Sequence, residues 1–254
     1  MNRIEVTKYL ETMYPRHLAY DWDNVGLQVG TLNKPVKKIL VTLDVTKDVV
    51  REAADLKADL ILSHHPLIFQ PISSVQFETP KGWIIQELVK KDIALYSMHT
   101  NFDVADGGMN DRLSERLGLR DTKLLDEELG IGRYGRINPM PMPEFISYVK
   151  KQLEVTHVRL IGNMNKTVEI VGISGGSGSQ HMHQAKKRGC DVYITGDVTY
   201  HNALDAIMMG YTIIDVGHNV EKIFIPSIID DIRKEFPYLD IAASTVDTNP
   251  YQEK

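Results

Sequence analysis

The sequence predicts an α/β fold built from two similar-sized α/β domains. Short apolar runs alternate with amphipathic helical stretches along most of the chain, an order typical of β-α-β units around a mostly parallel sheet. A glycine- and proline-rich stretch, DEELGIGRYGRINPMPMPE, interrupts this order near the middle. The 254 residues suffice for two domains of about 125 residues each. We therefore expect an N-terminal domain at 1–125 and a C-terminal domain at 126–254, with the boundary within 125–136.

The N-terminal half alternates strands and helices from its first residues. Helical periodicity predicts helices at 5–14, 47–57 and 80–90, and a further helix in GGMNDRLSERLGL that Gly118 ends. Apolar runs bounded by polar residues predict buried strands at 39–43, in LILS and in DIALYS. The segment YDWDNVGLQVG between the first helix and the first strand is expected to be a loop.

The C-terminal half resumes the same alternation. Its predicted helices lie at 144–153, after GGSGSQ, at 202–209 and at 226–236. Its predicted strands are HVRLIG, TVEIVGIS, DVYIT, YTIIDV and a short one at 239–243. The halves are expected to share an architecture, although no convincing residue-level repeat is apparent.

Composition restricts the classes of function. The net charge of −5 gives no general reason to bind nucleic acid or an anionic membrane. No apolar segment approaches the roughly 20 residues that span a bilayer, and the N-terminus lacks a signal-peptide core. The single cysteine, Cys190, excludes an internal disulfide and suits a reducing compartment. We expect a soluble, cytoplasmic protein.

The stretch ADLILSHHPLIF ends a buried strand with two adjacent histidines, His64 and His65. Successive strand residues point to opposite faces, so both rings reach one target only if the chain turns there, where Pro66 stops the strand. The alternative is one buried, hydrogen-bonded histidine and one exposed histidine. The pair alone does not decide between the two.

Further potential metal ligands follow other predicted strands. Asp44 ends ILVTLD, His99 and Asp103 follow ALYSM, and His218 follows IIDVG. Ligand sites in open α/β sheets gather beyond the carboxyl ends of the strands. Glu221 lies three residues after His218, which places both on one face of a helix that begins there. Nitrogen and carboxylate donors without cysteine suit zinc, iron, manganese, cobalt or nickel.

Other polar motifs allow two interpretations each. SGGSGS follows a strand and precedes a helix, so it is either a phosphate-binding loop or a plain flexible turn, with candidate residues Ser174, Gly175, Gly176 and Gly178. Asp197 and His201 follow the strand DVYIT. Either they act as acid or base, or Asp197 caps the next helix and His201 makes a hydrogen bond within the fold. Asp44 orients a ligand histidine or caps the next helix.

Some histidines and acidic residues are weaker candidates. His99 either touches the site or lies in a solvated loop. Asp23 shapes the cleft or forms a turn. His181 and His183 are expected to be solvated residues at a helix start.

Five motifs resemble those of one known family. DWDNVGLQVG, LILSHHPLIF, MHTNFDVADGGMND, TGDVTYHNALDA and VGHNVEK together resemble the GTP cyclohydrolase 1 type 2 homologue family, also called the Nif-three-like or NGG-one-interacting-factor-three-like family. The match runs from Tyr20 to Lys222, and this chain looks like the short form that lacks a central inserted domain. The resemblance implies a two-domain α/β fold with a dinuclear metal site in the cleft between the domains, and a homo-oligomer, typically a toroidal hexamer.

The resemblance also implies the ligands of two divalent transition-metal ions. Carried onto this sequence, they are His64, His65, Asp103, His218 and Glu221. His64 and Asp103 would serve one ion, His65 and His218 the other, and Glu221 would bridge both. The glutamate follows the histidine by three positions here and by four in some relatives.

Two functions from different classes fit these expectations. The first is a dinuclear-metal-dependent hydrolase in which a bridging hydroxide attacks a nucleotide-like substrate. The family name suggests opening of the imidazole ring of GTP with release of formate. The alternative is a metal-binding, ring-shaped scaffold or regulator that acts through protein partners without turnover.

Overall fold

The computed structural model describes residues 1–251, which form two compact units. Of the described residues, the first unit holds Met1–Ala105 and 224–251, and the second holds Asp106–Ile223. The helices of the described chain are α1 (Arg3–Met13), α2 (Lys47–Asp55), α3 (Pro80–Lys90), α4 (Thr100–Val104), α5 (Met109–Arg116), α6 (Met142–Gln152), α7 (Met182–Lys187), α8 (Tyr200–Met208) and α9 (Phe224–Glu235), with 3₁₀ helices at Arg16–Leu18, Ser179–His181 and His218–Ile223. The strands are β1 (Gly26–Val29), β2 (Lys38–Thr42), β3 (Leu60–Ser63), β4 (Ala94–Ser97), β5 (Arg120–Asp126), β6 (Ile131–Pro141), β7 (Arg159–Ile161), β8 (Thr167–Ser177), β9 (Val192–Gly196), β10 (Ile213–Asp215) and β11 (Asp240–Ala243).

The first unit is built on a five-stranded sheet in the order β1-β4-β3-β2-β11. The last four run parallel to one another, and β1 pairs with β4 antiparallel at the edge. The residues of β3 and β4 are all buried, as is typical of parallel strands covered on both faces. Because β2, β3 and β4 are neighbours, the residues that follow them meet at one edge of the sheet.

Helices cover this sheet on both sides. The core beneath α2 and α3 contains Leu40, Val49, Val50, Ala53, Ile61, Ile84, Leu88 and Leu95. A threonine caps the N-terminus of each of these helices. The Thr46 side chain accepts a hydrogen bond from the amide of Val49, and the Thr79 side chain accepts one from the amide of Gly82. Near the chain's end, α9 packs against β2 and β11, and α1 packs against α9.

The second unit is built on a six-stranded mixed sheet in the order β5-β6-β8-β9-β10-β7. The middle strands β8, β9 and β10 are parallel, whereas β5, β6 and β7 make antiparallel pairs. Its core includes Leu125, Met182, Ala185, Tyr193, Ala206 and Ile213. The residues that follow β9 and β10 therefore lie at one edge of this sheet.

The division into units differs from the boundary expected at 125–136. That stretch belongs to the antiparallel hairpin of β5 and β6, and its glycines allow the tight turn, with Gly130 at φ 68°. The chain divides instead between Ala105 and Asp106. The C-terminal α9 and β11 return to the first unit, because β11 completes its sheet beside β2.

Most predicted elements are present, with ends displaced by a few residues. The helix at 80–90 has the predicted bounds. Residues 26–29, expected to lie in a loop, form the edge strand β1, and the residues after the predicted strand DIALYS form the short helix α4. Within residues 1–251, none of the helices is both long and apolar enough to cross a lipid bilayer.

Candidate metal centre

His64 is fully buried directly after β3. Its Nδ1 lies 2.8 Å from the carbonyl oxygen of Met98, so the ring donates Nδ1–H and keeps its lone pair on Nε2. Nε2 lies 3.5 Å from Oδ1 of Asp103, which is placed by α4. The imidazole also packs beside Phe102 and Phe224, at centroid distances of 6.1 and 5.2 Å. Its orientation is therefore fixed from several sides.

His65 is oriented by a carboxylate that follows β2. Its Nδ1 lies 2.7 Å from Oδ1 of Asp44, and the other oxygen of Asp44 accepts a 2.6 Å hydrogen bond from the Thr248 hydroxyl. The rings of His65 and His64 lie 4.9 Å apart between centroids. The side-chain cap of α2 is provided by Thr46. Of the two interpretations of Asp44, its contact with a predicted ligand histidine is the one present.

His99 joins the two neighbouring histidines. Its ring centroid lies 5.2 Å from that of His64 and 5.5 Å from that of His65, and one nitrogen of each ring lies within 4.8 Å of the others. Asp23 holds the Nδ1 of His99 at 2.9 Å and accepts hydrogen bonds from the amide and hydroxyl of Thr100. Burial raises the pKa of Asp23, but the hydrogen bonds and the charge of His99 outweigh it and lower the pKa to about 2.

In the second unit, His218 and Glu221 lie close together. Both lie on the 3₁₀ helix His218–Ile223, in which residues three apart are eclipsed, and the Nε2 of His218 lies 3.0 Å from Oε2 of Glu221. This geometry explains why a spacing of three places both side chains together. Asp197 Oδ2 lies 2.7 Å from the Nδ1 of His218 and accepts its hydrogen. Asp197 adopts a left-handed backbone conformation, with φ 52°, that aspartate tolerates better than most residues.

Two glycines leave room for the Glu221 carboxylate. A Cβ atom built on Gly176 would overlap Oε1 of Glu221, and one on Gly175 would lie 3.4 Å from the same oxygen. Gly176 also has φ 55°, a conformation that favours glycine. The glycines of SGGSGS therefore allow the acidic side chain to approach the strand.

The expectation that SGGSGS is a loop is wrong. Ser174 and Gly175 lie within strand β8, and only the residues after 177 leave it. The amide of Gly175 donates to Oδ1 of Asn110, and that of Gly178 donates to Oγ1 of Thr195, each at 3.0 Å. Because these amides are hydrogen-bonded inside the unit, they do not form the open cradle that phosphate requires.

Two other histidines lie in different surroundings from those expected. His201 is exposed on α8, where its ring lies beside that of Tyr200. Its predicted role as acid or base stays a prediction. His181 is buried, not solvated, and its Nδ1 lies 3.1 Å from Oδ2 of Asp126. This pair joins the end of β5 to the short 3₁₀ helix before α7.

The hydrogen bonds and the donor separations of these side chains match those expected of ligands to a divalent metal ion. Ligand histidines usually donate their second N–H to a carboxylate or carbonyl, as His64, His65 and His218 do. Two donors on one tetrahedral zinc ion lie about 3.4 Å apart, close to the separations of His64 from Asp103 and His218 from Glu221. These residues are therefore suited to hold divalent transition-metal ions.

One signal in the sequence could have identified the orienting carboxylates. Asp44 precedes His65 by 21 residues, and Asp197 precedes His218 by 21 residues. Both aspartates begin the triplet DVT, whose threonine accepts a hydrogen bond from the third residue of the following nine-residue helix. In each unit the order is strand, DVT, helix, strand and ligand histidine.

Comparison with known proteins agrees with these observations. A chain from Lactococcus lactis named "GTP cyclohydrolase 1 type 2 homolog" is 37% identical, covering 96% of each chain, and one of that name from Clostridium perfringens is 41% identical over 84% of each. The crystal structure of a Bacillus cereus protein related to NIF3 superposes with a TM-score of 0.96 at 30% identity, covering 100% of this chain and 99% of that one. The profile of the Duf34/NIF3 (NGG1p interacting factor 3) family matches residues 1–250, and the chain belongs to that family.

Proposed function

We propose that this protein is a metal-dependent hydrolase. The observation that supports it best is the orientation of three histidines, each of which donates Nδ1–H to a fixed oxygen acceptor in its own unit. A structural histidine needs one such bond, whereas Nε2 of His64 and of His218 additionally faces a carboxylate. This is the arrangement that ligand histidines adopt. The proposed ligands are His64, His65, Asp103, His218 and Glu221.

We further propose that the ligands of both units serve one dinuclear centre in the cleft between the domains. The family resemblance supports this assignment. Bound divalent ions would supply an activated water at neutral pH and polarise the bond under attack. Their identity is one of zinc, iron, manganese, cobalt or nickel on the basis of the donor set.

The chain's own residues have separate tasks in this proposal. Asp44 and Asp197 hold their histidines in the Nδ1–H tautomer, which leaves Nε2 for the ion and makes both aspartates positioning residues. His99 is the candidate for proton transfer. Because Asp23 holds its Nδ1–H, the proton is accepted or released at Nε2.

The proposed substrate is nucleotide-like, and opening of the imidazole ring of GTP is the most concrete reaction. Its support is the name of the relatives, which are called homologues of a GTP cyclohydrolase. We also propose a cytoplasmic location, which suits the single buried thiol of Cys190, and a toroidal hexamer. The second candidate function, a ring-shaped scaffold without turnover, is favoured by exposed apolar side chains on α8.

Elemental analysis of untagged protein tests the metal centre. We expect about two transition-metal ions per chain in the wild type, and their loss in the His64→Ala/His65→Ala double variant. The His183→Ala variant is the matched control, because His183 is an exposed histidine on α7. A wild type that takes up no metal after reconstitution would contradict the proposal.

Turnover then separates the hydrolase from the scaffold. Metal-replete protein is incubated with GTP, and formate release is measured against the double variant. We expect formate above the level of that variant. Metal without turnover of GTP or of other nucleotides and phosphoesters would leave the scaffold as the better supported function.

A further inference from the structure

A group of exposed aromatic rings adjoins the histidine cluster in the first unit. Trp22 is 57% exposed and Phe69 is 40% exposed, although both are large apolar side chains. Their ring centroids lie 5.8 Å apart, and that of His99 lies 6.3 Å from Trp22 and 6.1 Å from Phe69. The interplanar angles of these three pairs lie between 68° and 82°. We call Trp22, Phe69 and His99 the aromatic corner.

The loops that carry the aromatic corner are fastened to one another. Asn24 donates a side-chain hydrogen bond to the carbonyl of Ile68 at 2.5 Å, and the Ile68 amide donates to Oε1 of Gln28 at 3.1 Å. Both backbone polar groups of Ile68, the residue before Phe69, are thereby bound, one by the loop that carries Trp22 and the other by strand β1, which follows that loop.

The same loop is also fastened to the segment that carries His99. Directly after Trp22, Asp23 accepts hydrogen bonds from His99 and Thr100, and before Trp22 the amide of Tyr20 donates to the Thr100 hydroxyl at 3.1 Å. The backbone segments that carry the three rings of the aromatic corner are therefore fastened to one another.

Fixed, exposed aromatic surface is typical of sites that bind flat rings. A single exposed apolar side chain is ordinary, but Trp22 and Phe69 are adjacent and lie beside a histidine of the candidate metal centre. Proteins bind nucleobases by stacking them on aromatic faces, which every planar heteroaromatic ring permits. Preorganised rings lose little conformational entropy on binding.

We propose that the aromatic corner is the binding site for a planar heteroaromatic ring, which stacks on Trp22 beside Phe69 and presents its edge to His99. This inference deepens the proposed function by naming the part of the substrate that is recognised, and it rests on that function for the catalytic significance of the neighbouring histidines. The stacking itself requires neither turnover nor a particular metal.

Tryptophan fluorescence tests the stacking directly, because the chain has two tryptophans. Trp83 lies on α3 beneath Lys47 and Arg51 and is replaced in a Trp83→Phe variant, which leaves Trp22 as the reporter. GMP is the probe, and ribose 5-phosphate is the matched control that lacks the ring. We expect saturable quenching by GMP and none by ribose 5-phosphate. Absence of quenching, or equal quenching by both, would overturn the inference.

Equilibrium dialysis with labelled GMP provides the second measurement, on the otherwise wild-type protein. We expect Trp22→Ala to weaken binding by about 5- to 150-fold and Trp22→Phe to restore part of it. Tyr238→Ala removes another exposed aromatic ring, 99% exposed, and should bind like the wild type. Unchanged binding by Trp22→Ala refutes the site. Binding of GMP through Trp22 by a protein that takes up no metal after reconstitution would contradict the hydrolase and leave this inference intact.

Discussion

The three predicted ligand histidines and His99 have their Nδ1 atoms held by oxygen acceptors. The acceptors differ: a backbone carbonyl for His64, and carboxylates for His65, His99 and His218. The common result is a hydrogen on Nδ1, so that in the neutral ring Nε2 carries the lone pair. Metal ligation and proton acceptance both require that lone pair, so the same hydrogen bond prepares different histidines for different tasks.

At the scale of single residues, Asp23 gives a prediction about acid stability. Its pKa falls from 3.8 to about 2 in the folded protein, so its contribution is complete above pH 3.8 and disappears as the pH falls toward 2. We expect Asp23→Asn to lower the free energy of unfolding by about 2 kcal/mol at pH 7 and by much less near pH 2. Urea unfolding followed by tryptophan fluorescence measures this, because Trp22 and Trp83 both lie in the first unit.

The control for that prediction is Asp55→Asn, a change at the exposed end of α2. Its unfolding free energy should follow the wild type over the whole range. If the unfolding free energies of Asp23→Asn and the wild type differ by the same amount from pH 7 to pH 2, the hydrogen bonds from His99 and Thr100 do not stabilise the Asp23 carboxylate.

The residue types of the candidate site were predictable from sequence, but most of their partners were not. Nitrogen and oxygen donors at strand ends indicate metal whatever the detailed geometry. Asp23, by contrast, lies 76 residues from His99 in the sequence, and Met98 uses only its backbone carbonyl. Neither contact leaves a local pattern, so neither could be inferred from residue spacing.

At the scale of elements, the two units contain the same arrangement of strands, helix and histidine. In each, a strand is followed by DVT and a nine-residue helix, and the next parallel strand ends before a histidine that donates a hydrogen bond to the aspartate of the DVT. Neighbouring parallel strands place the two side chains at one edge of the sheet. The repeat is not apparent as residue identity because the two helices share few residues. The spacing of 21 residues between aspartate and histidine is retained.

Strand β8 and the 3₁₀ helix that carries Glu221 give the prediction at this scale. A methyl group at Gly176 would overlap Oε1 of Glu221, so Gly176→Ala must displace the carboxylate from its position near His218. We expect metal affinity to fall by about tenfold or more. Competition with a chromophoric chelator measures the affinity.

The matched control is Gly189→Ala. Gly189 also has a positive φ, 77°, but a Cβ there would meet nothing within 4 Å. Both variants therefore carry a backbone strain of roughly 1–2 kcal/mol, and only Gly176→Ala disturbs Glu221. If the two variants bind metal equally well, the close approach of Glu221 to β8 does not matter for the site.

Elements with regular patterns were predictable, and those shaped by glycine or by distant pairing were not. The helix at 80–90 has proline at its first position and a threonine cap, both local signals. The β5–β6 hairpin contains glycines and prolines that are also typical of a linker, and its pairing with β8 comes from residues further along the chain. Strand propensity depends on such neighbours.

At the scale of the whole molecule, the C-terminal elements of the described chain belong to the same unit as its N-terminus. Its last helix and strand complete the first unit, where β11 pairs with β2 and the Tyr14 hydroxyl donates a 2.6 Å hydrogen bond to buried Asp231 of α9. Division of the sequence at one point in its middle cannot predict this arrangement, because the second unit, Asp106–Ile223, lies in the sequence between the two parts of the first unit.

The exposed apolar face of α8 leads to a prediction about assembly. Tyr200, Leu204, Ile207 and Met208 recur at helical spacing on one face and are 40–76% exposed. Contiguous apolar surface of this kind marks contacts between proteins, and we expect it to be covered by another copy of the chain in the proposed hexamer. Light scattering after size exclusion should give a mass of about six chains for the wild type and a smaller one for Ile207→Glu/Met208→Glu.

The matched control for the assembly is Val89→Glu, because Val89 is 63% exposed but stands on α3 of the first unit. It adds one negative charge, where the double variant adds two, to an exposed apolar position and should leave the mass unchanged. If both variants and the wild type have the same large mass, α8 is not the interface. If the wild type is a monomer, the apolar face of α8 needs another partner, and the ring-shaped scaffold loses the observation that favours it.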